Sequence, residues 1–258
     1  MKVVLLAGGL GTRISEESHL RPKPMIEVGK YPILVHIMRI YAAQGFNEFV
    51  ICAGYKQQII KEYFAHFSMY TNDVTFNIGN GSKVIHNEPK FDWKVTVADT
   101  GLHTQTGGRV LRARKYIGEE PFLLTYGDAV GDVDINAVIE SHKKSGKLVT
   151  ICVYNYGQSK GVVDINADGS VNAFREKSNL DGDLINIGFM VCEPVIYDLI
   201  KGKESVFEKD ILAILAEKGQ LNSYIHKGFW QCMDTLREKE KLEALDASGN
   251  APWKVWEK

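Results

Sequence analysis

The stretch Leu5-Leu6-Ala7-Gly8-Gly9-Leu10-Gly11-Thr12-Arg13 decides the fold. The residues Lys2–Ala7 read as a short apolar strand that ends in glycine, the pattern of a strand buried on both faces of a parallel sheet. In an open α/β sheet, ligands bind at the carboxyl ends of the strands, which is where these glycines fall. Gly8, Gly9 and Gly11 allow a tight turn and bring bare backbone N–H groups close to an anion. Arg13 adds a planar cationic fork that matches phosphate oxygens. The spacing is neither Gly-x-Gly-x-x-Gly, as a dinucleotide loop requires, nor a Walker loop with Gly-Lys-Ser/Thr. A plain strand-to-helix turn with a surface arginine stays open at this point.

Outward from this loop, apolar runs of strand length alternate with helical patterns. Helices are predicted over 33–41, stopping near Gly45, and over 57–67, 108–116, 135–144, 195–200, 210–218 and 236–245. Strands are predicted over 48–53, 74–78, 95–97, 121–126, 148–154, 184–192 and 221–225, with a β-hairpin over 162–165 and 171–174 turning at Asp168-Gly169. The βαβα order followed by antiparallel insertions predicts a three-layer α/β fold: an open, mostly parallel, Rossmann-like sheet with β-hairpin insertions. Residues 1–258 are expected to form a single domain. The C-terminal helix and tail, about 235–258, should pack on it, with Trp253 and Trp256 docking the tail.

The chain has 258 residues, 45% hydrophobic and 24% charged, with net charge −1, so it exerts no general attraction on nucleic acid or anionic lipid. No apolar run approaches the ~20 residues needed to cross a bilayer. Four cysteines, Cys52, Cys152, Cys192 and Cys232, lack metal or redox spacing. The first three close apolar runs and read as packed core thiols. Reduced thiols and the absence of a signal-peptide pattern predict a cytoplasmic protein. The seven histidines show no ligand spacing.

After the glycine loop comes Arg21-Pro22-Lys23-Pro24-Met25, where two prolines restrict the backbone around Lys23. One reading is a fixed cation aimed at the phosphates held by the loop; the other is a surface lysine. Asp128 ends a buried strand after Gly127, so its carboxylate should project into the ligand crevice. Asp234 reads either as a second metal-holding carboxylate or as the N-cap of the last helix. Arg109, after two glycines, suits an anion or pyrimidine contact, or a surface place at a helix start.

The glycine loop followed by Pro-Lys-Pro resembles the sugar-1-phosphate nucleotidyltransferases. The resemblance continues through Thr106-Gly107-Gly108-Arg109, Tyr126-Gly127-Asp128, Phe174-Arg175-Glu176-Lys177, Phe229-Trp230-Gln231-Cys232-Met233-Asp234-Thr235 and Ala251-Pro252-Trp253-Lys254. These motifs look most like the branch that uses CTP and α-D-glucose 1-phosphate to make CDP-glucose for surface polysaccharides. The resemblance implies nucleotide binding by Leu6, Ala7, Gly8, Gly9, Gly11, Thr12, Arg13, Lys23, Thr104, Arg109 and Asp128, with Lys23 and Arg13 catalytic. It implies Mg²⁺ on Asp128 and Asp234, and sugar phosphate binding by Lys177, Glu176, Asn186 and Gly161. It also implies a homo-oligomer, a hexamer among the options. The aromatic stretch Phe64–Tyr70 is compatible with an interface. Departures from the family pattern fall in the sugar half: Ser178 in place of proline, Ile187 before Gly188, and Ser159-Lys160 before Gly161.

The chemistry so implied is in-line displacement at the α-phosphorus, where the attacking phosphate oxygen is already anionic and requires no general base. Competing readings are the same reaction with UTP, dTTP or another phosphorylated acceptor, and a non-catalytic nucleotide-sugar-binding subunit. A nicotinamide oxidoreductase is disfavoured by the glycine spacing and the Pro-Lys-Pro element.

Overall fold

The computed structural model describes residues 1–87, 91–157, 162–166, 168, 170–175 and 184–257. Strands Lys94–Asp99, Glu48–Ala53, Val3–Ala7 and Phe122–Tyr126 lie side by side in that order, all parallel. Met190–Cys192 adds antiparallel to Phe122–Tyr126. Val149–Asn155 follows, and Leu221–His226 runs parallel to it. Leu184–Asn186 pairs antiparallel with Val149–Asn155 at the edge, so the sheet is mostly parallel, with two reversed strands.

Alternation along the first strand shows why helices cover both faces. Val3, Leu5 and Ala7 point into one core with Ile33–Ala42, Ile135–Ser145 and the tail, while Val4 and Leu6 point into the other with Thr106–Ile117. The result is the expected three-layer α/β architecture, and the 162–175 hairpin forms as Val162–Ile165 on Val171–Arg175.

Several elements differ from expectation, each for a local reason. The expected 184–192 strand divides into Leu184–Asn186 and Met190–Cys192. Gly188 (φ +79°) and Phe189 (φ +51°) turn the chain in between, and the Phe189 ring stacks on Tyr41 at 5.8 Å. The 57–67 helix ends at Ala65, and Phe67–Thr71 is a separate turn of helix. The helix expected over 210–218 starts earlier, as a π-turn, Phe207–Leu212, that runs into the helix Ala213–Glu217. The strand expected over 74–78 forms as Val74–Asn77, and its partner Ser82–Ile85, which was not expected, makes it an exposed hairpin. Around Phe64–Tyr70, Tyr63, Phe64 and Phe67 pack with one another and with Phe91 and Trp93, leaving Tyr70 exposed.

The C-terminal helix starts with a capping box. Thr235 accepts from the Glu238 N–H, and Glu238 reaches back to the Thr235 N–H. Beyond it Trp253 is fully buried, stacked on Phe229 at 5.8 Å, and donates from Nε1 to His36 Nδ1 at 3.2 Å. Trp256 packs under the Arg39 guanidinium, 4.0 Å away. Cys52, Cys152 and Cys192 are buried, and burial pushes the Cys52 and Cys152 thiols up to about 12. Among the described residues no helix is long and apolar enough to cross a membrane.

Candidate active site

A cavity of about 340 Å³ opens at the carboxyl end of the parallel strands. One wall is the glycine loop: Leu6, Ala7, Gly8, Gly9, Gly11, Thr12 and Arg13, with Lys23 and Pro24 beside it. The other is Thr104, Gln105, Thr106, Arg109, Tyr126, Gly127 and Asp128. All the residues expected to bind nucleotide therefore line one cavity.

The glycines have separate reasons. Gly11 sits at φ +67°, where a side chain is strained. A Cβ on Gly8 would lie 2.1 Å from Arg109 Nη1, so the loop lies directly on this guanidinium. Arg109 is 4% exposed. It donates to Thr100 Oγ1 (2.8 Å) and to the carbonyls of Gly101 (2.8 Å), Gly8 (2.9 Å) and Leu102 (3.2 Å). The surface alternative is therefore removed: Arg109 lines the cavity, and its guanidinium holds the glycine loop to the 100–102 turn. Thr104 is buried and accepts from Arg112 at 3.2 Å.

Lys23 opens a short 3-10 turn, Lys23–Met25, entered from Pro22 at φ −65°. Its side chain is 9% exposed, which removes the surface-lysine alternative. Nζ donates to Asp128 Oδ2 at 2.6 Å and to Asp234 Oδ1. Burial works against the ammonium, yet the Asp128 and Asp234 carboxylates outweigh it and hold its pKa above the ordinary lysine value.

Asp128 and Asp234 meet through strand pairing that the sequence reading did not anticipate. Ala129–Gly131 pairs antiparallel with Trp230–Cys232, and the Met233 N–H donates to the Asp128 carbonyl at 2.9 Å. The N-cap of the last helix is Thr235, which leaves the Asp234 side chain to pair with Lys23 and Arg13. Arg13 stands at the rim, its side chain 74% exposed, in contact with Asp234. Two carboxylates converging on one cation, beside a loop of free amides, fit a Mg²⁺ ion shared with phosphate oxygens. Among the described residues, no third carboxylate, histidine or cysteine completes an all-protein metal cage.

On the acceptor side, Lys177, Glu176 and Gly161 lie outside the described residues, as do Ser178, Ser159 and Lys160. Asn186 is described: Nδ2 donates to the Tyr126 hydroxyl at 3.2 Å, and Oδ1 accepts from the Gly188 N–H at 3.1 Å. Tyr126 donates to Glu208 Oε1 at 2.7 Å. Burial, and then the Glu208 charge, push the Tyr126 phenol far above its ordinary range. Tyr126 and Thr106 fall within the motifs read from sequence but received no role there. Glu208 had no motif to mark it.

The family described as nucleotidyl transferase matches this chain over residues 2–237. A glucose-1-phosphate cytidylyltransferase of Salmonella typhimurium is 47% identical over 258 residues, covering 100% of both chains. Among solved structures, HddC from Yersinia pseudotuberculosis superposes with a TM-score of 0.66 at 23% identity, over 94% of this chain and 98% of that one. A UDP-glucose pyrophosphorylase complexed with UDP-glucose gives 0.67 at 16% identity, over 96% and 98%. At these identities the two structures speak for the fold.

Proposed function

This chain belongs to the nucleotidyl transferase family, and from that premise we propose that it transfers the cytidylyl group of CTP to α-D-glucose 1-phosphate, giving CDP-glucose and pyrophosphate. The observation that carries the assignment is the 47% identity along the whole chain to the Salmonella typhimurium cytidylyltransferase. The gathering of the glycine loop, Arg13, Lys23 and Asp128 around one cavity supports this reading.

In this mechanism the glycine-loop amides and Arg13 hold the triphosphate, and Lys23 neutralises charge at the α-phosphate as it builds. Lys177, with Glu176, Asn186 and Gly161, holds the sugar phosphate. A phosphate oxygen of the sugar 1-phosphate attacks the α-phosphorus in line, the bond to the β-phosphate oxygen breaks, and pyrophosphate leaves. Asp128 and Asp234 would hold Mg²⁺, which when bound supplies positive charge to the triphosphate. Arg109 keeps the loop in shape. Two polyanions must meet in one site, so most of the protein's work is positioning and charge compensation.

We propose as well that the chain acts as one domain over 1–258, in the cytoplasm, as a homo-oligomer of up to six subunits. Phe76, Ile78 and Val84 on the exposed hairpin support self-association, at 55%, 90% and 55% exposure. Sedimentation of the purified protein tests it. Pyrophosphate release over a grid of CTP, UTP, dTTP, ATP and GTP against several sugar 1-phosphates tests the reaction. The highest rate is expected for CTP with glucose 1-phosphate; no release in any combination would leave a nucleotide-sugar-binding subunit.

A further inference from the structure

We propose that Glu208 is a positioning residue for the sugar end of the site: through Tyr126 and Asn186 it fixes the donors and acceptors that a sugar hydroxyl meets. The inference rests on the reading above that Asn186 serves the sugar 1-phosphate.

Glu208 lies in the π-turn Phe207–Leu212, a departure from α-helical geometry of a kind that often re-aims a side chain at a functional site. Its carboxylate stands behind two cavity-lining hydroxyls. Oε1 accepts a hydrogen bond from the Tyr126 hydroxyl at 2.7 Å, and Oε2 accepts one from the Thr106 hydroxyl at 2.8 Å. Thr106 Oγ1 in turn accepts from the Phe207 N–H at 2.8 Å, so the helix Thr106–Ile117 and the π-turn hold each other in register.

Counting protons settles the polarity of the network. An ionised carboxylate only accepts, so Tyr126 must spend its single proton on Glu208 and can then only accept. Asn186 therefore presents Nδ2 to it, and the same orientation lets Oδ1 accept from Gly188. The second Nδ2 proton of Asn186 has no protein acceptor among the described residues. Glu208 thus determines that this corner offers a remaining amide donor and the phenol oxygen as an acceptor. A hydroxyl, which both donates and accepts, matches that pair. A ring substituent that is itself a carboxylate would have no proton for the Tyr126 oxygen and would stand near the Glu208 charge. The ligand class selected is a neutral polyhydroxy sugar 1-phosphate, with a uronic acid 1-phosphate refused.

The test is steady-state kinetics of Tyr126→Phe, Glu208→Gln, Glu208→Ala and the Tyr126→Phe/Glu208→Ala double variant, with glucose 1-phosphate and glucuronic acid 1-phosphate as acceptors. Tyr126→Phe and Glu208→Ala should each raise KM for glucose 1-phosphate about tenfold, with KM for CTP within about twofold. The double variant should cost no more than the worse single one, because the two side chains act as one unit. Glu208→Gln, which keeps an acceptor for Tyr126, should retain most of the wild-type KM and narrow the preference for the neutral sugar. Equal rises in both KM values, additive effects, or an unchanged preference would each overturn the proposal and leave Glu208 as a tie between helices. If Glu208→Ala does not fold, Tyr126→Phe and Glu208→Gln still carry the comparison. A wild type inactive with every sugar 1-phosphate refutes the proposed reaction; an active wild type whose variants show no KM split refutes this inference alone.

Discussion

Lys23 Nζ lies 2.6 Å from the Asp128 carboxylate and also contacts Asp234, so the cation proposed for the phosphates and the acids proposed for the metal neutralise one another. Arg13 closes the set by pairing with Asp234. A triphosphate alone would find its cations engaged, and a metal alone would find its carboxylates engaged. Arriving together, the two exchange partners with the protein, and each favours the other's binding.

Lys23→Ala should lower kcat by about 10²–10³ while leaving CTP affinity in the presence of Mg²⁺ nearly intact, as expected of a contact strongest in the transition state. It should also tighten Mn²⁺ binding in the absence of nucleotide, because two adjacent carboxylates lose their counterion. Electron paramagnetic resonance of free Mn²⁺ measures this directly. A near-normal kcat would end the catalytic role.

Asp128→Asn and Asp234→Asn should each weaken Mg²⁺-dependent turnover, and together cost much less than the sum, because two ligands of one ion act as a unit. Asp128→Asn should moreover tighten CTP binding without metal, since Lys23 is released from one of its two anchors. Calorimetry in a chelator reads the second effect. Clean additivity with an unchanged Mg²⁺ titration would mean the two aspartates do not share a metal.

Arg109→Ala should destabilise the protein and weaken CTP binding together. It strips the Gly101 and Leu102 carbonyls of their Arg109 donors around a buried gap, while the Thr100 hydroxyl keeps the Ala53 carbonyl and the Gly8 carbonyl keeps the Tyr55 N–H. Buried groups left unpaired cost about 1–3 kcal/mol each, partly relieved where water enters. Urea unfolding and CTP titration check both effects. A variant of wild-type stability with lost CTP binding would mean Arg109 contacts the nucleotide and is not chiefly a clamp.

The nucleotide half of the site was legible because it is local: the strand, glycine loop and Pro-Lys-Pro turn are contiguous in sequence, and their chemistry follows from residue type. The burial of Arg109 is not legible in the sequence because it depends on Gly8, Ala53 and Gly101, which come from three separate segments. The meeting of Asp128 with Asp234 depends on three-residue strands too short to give a periodic signal. Glu208 was invisible for a further reason. A π-turn leaves an apolar pattern that reads as ordinary helix, so the displaced face of Phe207–Leu212 cannot be inferred from spacing.

Lys177→Ala should raise KM for the sugar phosphate about tenfold to a hundredfold with little change for CTP, because it is assigned to the acceptor phosphate alone. The family-like double change Ser178→Pro with Ile187→Gly carries a steric condition. Ile187 is 1% exposed in the core, so its removal opens a cavity. Ser178→Pro alone is the cleaner test of whether sugar ranking shifts at constant CTP preference.

The last prediction concerns pH and the docked tail. His36 Nε2 lies 2.9 Å from the Val28 carbonyl and His36 Nδ1 accepts from Trp253, so the ring must be neutral with its proton on Nε2. Burial, partly opposed by the Val28 hydrogen bond and the Asp246 charge and aided by Arg39 and Lys254, lowers the His36 pKa below its ordinary value. The sign of the linkage follows. Above about pH 6.5 the imidazole is neutral in both states and its contribution is fully present. As pH falls below that, the unfolded chain takes up a proton that the folded chain refuses, and stability declines by up to about 1.4 kcal/mol per pH unit until His36 itself protonates. At that point a second N–H faces the Trp253 N–H, and the tail should lift. Urea unfolding at pH 7.5, 6.5 and 5.5, read by tryptophan emission, should show this decline in the wild type and a shallower one in His36→Gln, whose amide supplies one donor and one acceptor without titrating. The same slope in both proteins would assign the acid sensitivity to another group and leave the tail docked independently of His36.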